Sequence, residues 1–136
     1  MNEIDAPGAP NPEELHPEGF AVFSERAAEE GAVVMLNLLS FRPDGGRERY
    51  MEYGAAVAPL LEKAGARILY AGEAATALIG PGSWDLVLLV EYPTRQAFLN
   101  MTGSSEYQEI AHLRTEALLK GELHPMDSAP ILDSAP

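Results

Sequence analysis

Between Gly31 and Phe41 the chain runs GAVVMLNLLSF. This short Val- and Leu-rich stretch, bounded by a glycine before and RPDGG after, predicts a buried strand over residues 32–41. From Arg47 to Ala64 the period changes. Tyr50, Tyr53, Val57, Leu60, Leu61 and Ala64 recur at three and four, which is one face of a helix, and Gly65 stops it. Pro59 lies inside this helix and is expected to kink it, since proline removes one hydrogen bond and crowds the carbonyl of Ala55. ARILYAGEAATALIG then predicts a second strand, broken or bulged around Gly72. The turn residues GPGS lead into WDLVLLVEYP, a third strand that should pair with the second as a hairpin. Pro93 ends that strand, and Thr94 caps a helix running through Phe98 and Met101 to TGSS. Ser105 with Gln108 reads as a capping box for a further helix through Tyr107, Ile110, Ala111, Arg114 and Leu118. Gly121 closes it, and ELHPM is the remaining candidate for a final strand. Ahead of these elements PEGFAVFSERAAEEGA sets Phe20, Phe23 and Ala27 at helical spacing, with Gly31 placed as a C-cap.

The order strand, helix, strand, strand, helix, strand is that of a ferredoxin-like α+β domain: an antiparallel sheet with the helices on one face, here with one extra N-terminal helix. The third strand is apolar on both sides. Trp84, Leu86, Leu88 and Val90 alternate with Asp85, Val87, Leu89 and Glu91, so the face the helices leave open is still largely apolar. A second subunit is expected to cover it. Residues 1–17 carry four prolines and few large apolar groups, the composition of a flexible acidic arm. The folded domain is expected over 18–126, followed by a tail over 127–136 in which Asp-Ser-Ala-Pro occurs twice.

At 136 residues the chain is one domain with room for a core. It has no cysteine, which excludes disulfides, thiolate nucleophiles and Cys-ligated metals. The formal charge of −12 argues against nucleic acid and anionic lipid as partners. Much of that acidity is in the leader, where Met1 to Glu30 hold eight acids against Arg26 alone. No signal-peptide or membrane-spanning run is present, so a soluble cytoplasmic protein is expected and the Asn100-Met101-Thr102 sequon is read as a chance match.

The segments ERYMEYGAAVAPLLEKAGARILYAGEAATALIG, WDLVLLVEYPTRQAFLNM and SSEYQEIAHLRTEALL resemble domain-of-unknown-function family 1330, of the dimeric α/β-barrel superfamily. The resemblance spans about Ala32 to Met126. Its marks are Tyr50 and Tyr53, the Gly65 stop, the Tyr92-Pro93 step, and Glu106-Tyr107-Gln108 followed by Arg114. It implies a homodimer whose two sheets face each other as a dimeric α/β barrel. It implies no activity; the wider superfamily includes cofactor-independent monooxygenases, muconolactone-type isomerases, heme-binding members and ligand-sensing domains. The Pro-rich acidic arm and Gly65-Ala66, where paired glycines are frequent, depart from the family pattern.

Candidate chemistry rests on polar residues that interrupt apolar elements. Asn37 shares its strand face with Val33, Met35, Leu39 and Phe41, and an amide there either orients a carbonyl or hydroxyl ligand or fixes strand register. Tyr50 and Tyr53 lie three apart on the first long helix, with hydroxyls that serve a ligand or pack with local partners. Trp84 and Asp85 open the third strand; Asp85 is a candidate base or a turn acceptor. Glu73 and Glu91 break apolar strands in a similar way. His112 is the one histidine read inside a helix and is a candidate general base. With Glu109 it forms a single Glu-x-x-His pair, too little for a metal centre. Arg114, like Arg67, either forms a structural ion pair or binds an acidic ligand. No nucleotide loop or nucleophile elbow occurs, so no cofactor is expected. These residues point to binding or conversion of a small, mostly apolar carbonyl or aromatic compound. Asn37, Tyr50, Tyr53, Glu73, Trp84 and Arg114 would contact it, and His112, Asp85 or Glu91 would move a proton. The alternative is a non-catalytic homodimeric assembly module.

Overall fold

The computed structural model describes residues 13–128. Its elements are α1 (Pro17–Glu25), β1 (Val33–Phe41), α2 (Gly46–Ala64), β2 (Arg67–Glu73), β3 (Leu86–Tyr92), α3 (Arg95–Thr102), α4 (Ser105–Ala117) and β4 (Leu118–Met126). Most of the expected arm and tail, residues 1–12 and 129–136, lies outside the described residues.

The four strands form one antiparallel sheet in the order β2-β3-β1-β4. This is the ferredoxin-like plan with one helix in front. β1 is central and alternates strictly: Val33, Met35, Asn37, Leu39 and Phe41 are buried, and the residues between them are half-buried. The buried set meets Tyr50, Tyr53 and Val57 of α2, Met101 of α3 and Leu118 in the core, so the helices lie over that face. Leu39, Leu118 and Val33 are its most completely buried large side chains. α2 ends where Gly65 takes φ +76°, a conformation that a side chain would strain, and its N–H caps the helix by donating to the Glu62 carbonyl. The Thr94 cap of α3 is present, with Oγ1 accepting from Ala97 N–H at 3.0 Å.

Several boundaries differ from the sequence expectation. α1 stops at Glu25, with Arg26 as its C-cap, so Gly31 leads into β1 and caps no helix. The cap of α4 is Ser104, whose Oγ accepts from Tyr107 N–H at 3.1 Å, while Gln108 reaches back to the Thr102 carbonyl. Of the adjacent serines, Ser104 is the one with extended backbone. The irregularity in β2 falls between Ile68 and Tyr70, and the strand ends at Glu73, well before Gly80. α4 gives way directly to β4 at Leu118, so Gly121 is a strand residue opposite Leu39.

Candidate functional site

Three elements send polar side chains into the layer between sheet and helices. β1 contributes Asn37, only 5 % exposed in the middle of an apolar strand. α2 contributes Tyr50 and Tyr53, both buried, because their spacing of three keeps them on the sheet-facing side. α4 contributes Tyr107 and Arg114, seven residues and about two turns apart on the same side. The Ser104 cap fixes where that helix begins, and so which side chains point inward.

Arg114 is the hub. Its Nη2 donates to Asn37 Oδ1 at 3.2 Å, and Nη1 lies 3.5 Å from the Tyr50 hydroxyl. Its guanidinium carbon sits 5.7 Å from the centre of the Tyr53 ring. The fourth side is closed by Glu13, from the segment before α1: Nε is 2.9 Å from both carboxylate oxygens and Nη2 is 2.7 Å from Oε2. Asn37 uses the other end of its amide to donate to the Met35 carbonyl at 3.2 Å. Beyond this, the Tyr53 and Tyr107 hydroxyls share a hydrogen bond of 2.9 Å. Phe41, Tyr50 and Tyr53 form a chain of rings with centroids 5.4 Å apart at each step.

Burial sets the protonation states. Loss of water pushes the Tyr50 hydroxyl up to about 12 against the pull of the Arg114 charge, and it raises Tyr53 and Tyr107 as well. All three are neutral hydrogen-bonding groups at physiological pH, able to donate a proton but not to act as bases. Burial alone would lower Arg114, but the Glu13 carboxylate and the tyrosines more than offset it, and the guanidinium is held above its ordinary value. The result is a fixed cation with an amide beside it and aromatic walls, an arrangement suited to a carboxylate or a polarised carbonyl oxygen.

Of the candidates taken from the sequence, Asn37, Tyr50, Tyr53 and Arg114 are thus brought together, and the others lie elsewhere. Asp85 secures the end of the sheet: its Oδ2 accepts from Phe41 N–H at 2.8 Å and lies 3.5 Å from the Ser40 hydroxyl. Glu91 is on the opposite sheet face, paired with Arg67 at 2.8 Å. Glu73 is exposed and meets Arg47 at 3.0 Å. Trp84 packs under the Lys120 ammonium, 4.4 Å from its ring centre. His112 is on the exposed side of α4. Two open hollows, of about 450 and 300 Å³, are lined by α1 with Pro125 and by the β1–α2 turn with Asp85; neither includes Asn37 or Arg114. Tyr107 was readable as a site residue, since it shares the three-and-four spacing of Ile110 and Arg114. Glu13 had no such local pattern: it meets a partner 101 positions away. Among the described residues no group of three or more His, Cys, Asp or Glu side chains could hold a metal ion, and no helix is long and apolar enough to cross a membrane.

Residues 45–121 match the family described as Domain of unknown function (DUF1330). The chain belongs to this family. The matched span holds Tyr50, Tyr53, Tyr107 and Arg114, and omits Asn37 and Glu13. The DUF1330 chain is 31 % identical to a protein of unknown function from Rhodopseudomonas palustris, with a TM-score of 0.79 over 85 % of this chain and 95 % of that one. It shares its fold with a dimeric ferredoxin-like protein of unknown function from a Jannaschia species, at 13 % identity and a TM-score of 0.60, covering 72 % of this chain and 100 % of that one. A dimeric protein of unknown function with a ferredoxin-like fold from Bacteroides fragilis, at 16 % identity, gives 0.52 over 73 % and 98 %. Among curated proteins none matches this DUF1330 chain at a significant level.

Proposed function

We propose that this protein binds a small, mostly apolar compound through a carbonyl or carboxyl oxygen, held where Asn37, Arg114 and Tyr50 converge, and that it does so as a homodimer. The observation that carries this reading is Arg114 itself, a cation only 11 % exposed in a layer that a purely structural core would fill with aliphatic groups. A buried cation whose neighbours, apart from the Glu13 carboxylate, are an amide, hydroxyls and ring faces offers a ligand both a charge and an apolar wall. Any chemistry at this seat falls to the tyrosine hydroxyls as proton donors, since His112, Asp85 and Glu91 do not touch it. The dimer is supported by the other face of the sheet. There Leu36 lies opposite Leu89 and Leu38 opposite Val87. Polar pairs, Arg67 with Glu91 and His124 with Glu122, flank this apolar centre. An apolar centre within a polar rim is the anatomy of a subunit interface, and two proteins that share the fold are described as dimeric.

Ligand-observed NMR with acetophenone and benzoate, on the full chain and on Asn37→Leu, tests the binding claim. Loss of one orienting hydrogen bond should weaken binding about tenfold. Equal binding by the two chains would overturn the assignment of Asn37.

A further inference from the structure

Glu13 lies outside the span of the family match, yet it supplies the carboxylate that fills Arg114. The contact is two-pronged, with Nε and Nη2 both engaged, the geometry with which a guanidinium receives a carboxylate ligand. The path of this side chain is left open by β4. Gly121 pairs with Leu39 and so sits on the helix-covered face, where an added Cβ would come within 3.0 Å of Glu13 Cγ and Oε2. A Cβ at 121 would press on Glu13, which would have to give by a few tenths of an ångström. The Glu13 side chain remains 24 % exposed, so the outer side of the contact meets solvent. Asn37 and Tyr50 reach Arg114 with their own side-chain oxygens, Asn37 on the Nη2 that Glu13 also engages and Tyr50 on Nη1.

We propose that Glu13 is a tethered stand-in for a ligand carboxylate: the segment ahead of α1 plugs the seat, and the ligand is a small carboxylic acid that must displace it. This rests on the ligand seat proposed above. Exchange of one carboxylate for another never leaves Arg114 unpaired, which removes the main cost of opening a buried ion pair. A tethered group competes at an effective concentration in the millimolar range, so a free acid wins only if its apolar part adds contact with the tyrosine rings. The plug therefore sets a threshold for occupancy and rejects small hydrophilic acids.

Calorimetric titration of benzoate, at fixed ionic strength, into the full chain, Glu13→Ala and the double variant Glu13→Ala/Arg114→Met tests this, with neutral benzamide as control. If the plug fills the seat nine-tenths of the time or more, Glu13→Ala tightens benzoate binding about tenfold or better. Benzamide should not follow, and loss of Arg114 should abolish the gain. Should Glu13→Ala fail to fold, Glu13→Gln keeps the size of the side chain and removes its charge, and a gain in the same direction is expected. Benzoate binding that depends on Arg114 but is equal with and without Glu13 would overturn the plug and leave the seat in place. No binding to any of the chains would overturn both.

Discussion

On the sheet face that the helices cover, β1 presents Asn37 to Arg114, and three tyrosines and Glu13 close around them. On the opposite face of the same strand, Leu36 and Leu38 lie beside Leu89 and Val87, half-exposed, with polar pairs at the flanks. The covered face thus holds a buried cation within its apolar core, whereas the centre of the uncovered face is purely aliphatic. Each half of this contrast carries a cost that something else must offset. Burying a guanidinium costs several kcal/mol before its partners offset it, and open aliphatic surface calls for cover. On the function proposed above, the inner face serves recognition and the outer one assembly.

The contrast can be broken from either side. The largest effect is expected from placing a carboxylate at adjacent positions of β1. Leu39→Asp, at a site with no exposure, should cost about 4–5 kcal/mol and abolish folding. Leu38→Asp, one residue away on the other face, should leave a folded protomer but halve the mass seen by sedimentation equilibrium. Next is Arg114→Met, which removes the cation that Glu13, Asn37 and Tyr50 share; urea unfolding should show a loss of about 3–5 kcal/mol. A loss of only a few tenths would mean that the cluster is not coupled to the fold.

Raising the pH should have a somewhat smaller effect. Tyr50 is pushed from 10 to about 12 by burial, so the folded state holds its proton more tightly than the unfolded chain does. Its contribution is complete below pH 10 and is lost as pH rises through 12, an amount of about 2–3 kcal/mol for a shift of this size. Tyrosinate absorbance followed together with circular dichroism should show Tyr50 ionising as the fold is lost; ionisation near pH 10 with the fold intact would place its hydroxyl in water. The smallest effect is expected from Tyr53→Phe, which leaves the Tyr107 hydroxyl without its 2.9 Å partner and should cost about 1 kcal/mol in thermal unfolding.

The inner cluster was partly legible in the sequence, and the reason is periodicity. Alternation along β1 puts Asn37 on the face of Val33 and Leu39, and the spacing of three puts Tyr50 and Tyr53 on one helix side. Both placements hold in the structure. Local rules failed where two choices differ by one residue or where the partner is distant. Ser104 and Ser105 are equivalent in composition, and only the backbone decides that Ser104 is the cap. Gly121 looked like a helix stop, but Leu118 is already buried strand, paired with Phe41 across a register shift. For Asp85 the sequence left a base and a turn acceptor both open, and its carboxylate accepts the Phe41 N–H at the sheet's end. Glu13 lies in a Pro-rich acidic leader, and no period within that leader shows that it pairs with a helix more than a hundred residues on.

The most direct measurement for the division between the faces is chemical-shift mapping by two-dimensional NMR as benzoate is added to the Glu13→Ala chain. The account predicts that the Asn37 side-chain amide and the Arg114 Nε–H move together, with no change at the methyls of Leu36, Leu38, Val87 and Leu89. Shifts gathered on those four methyls, with Asn37 and Arg114 unmoved, would contradict it and make the open face of the sheet the binding surface.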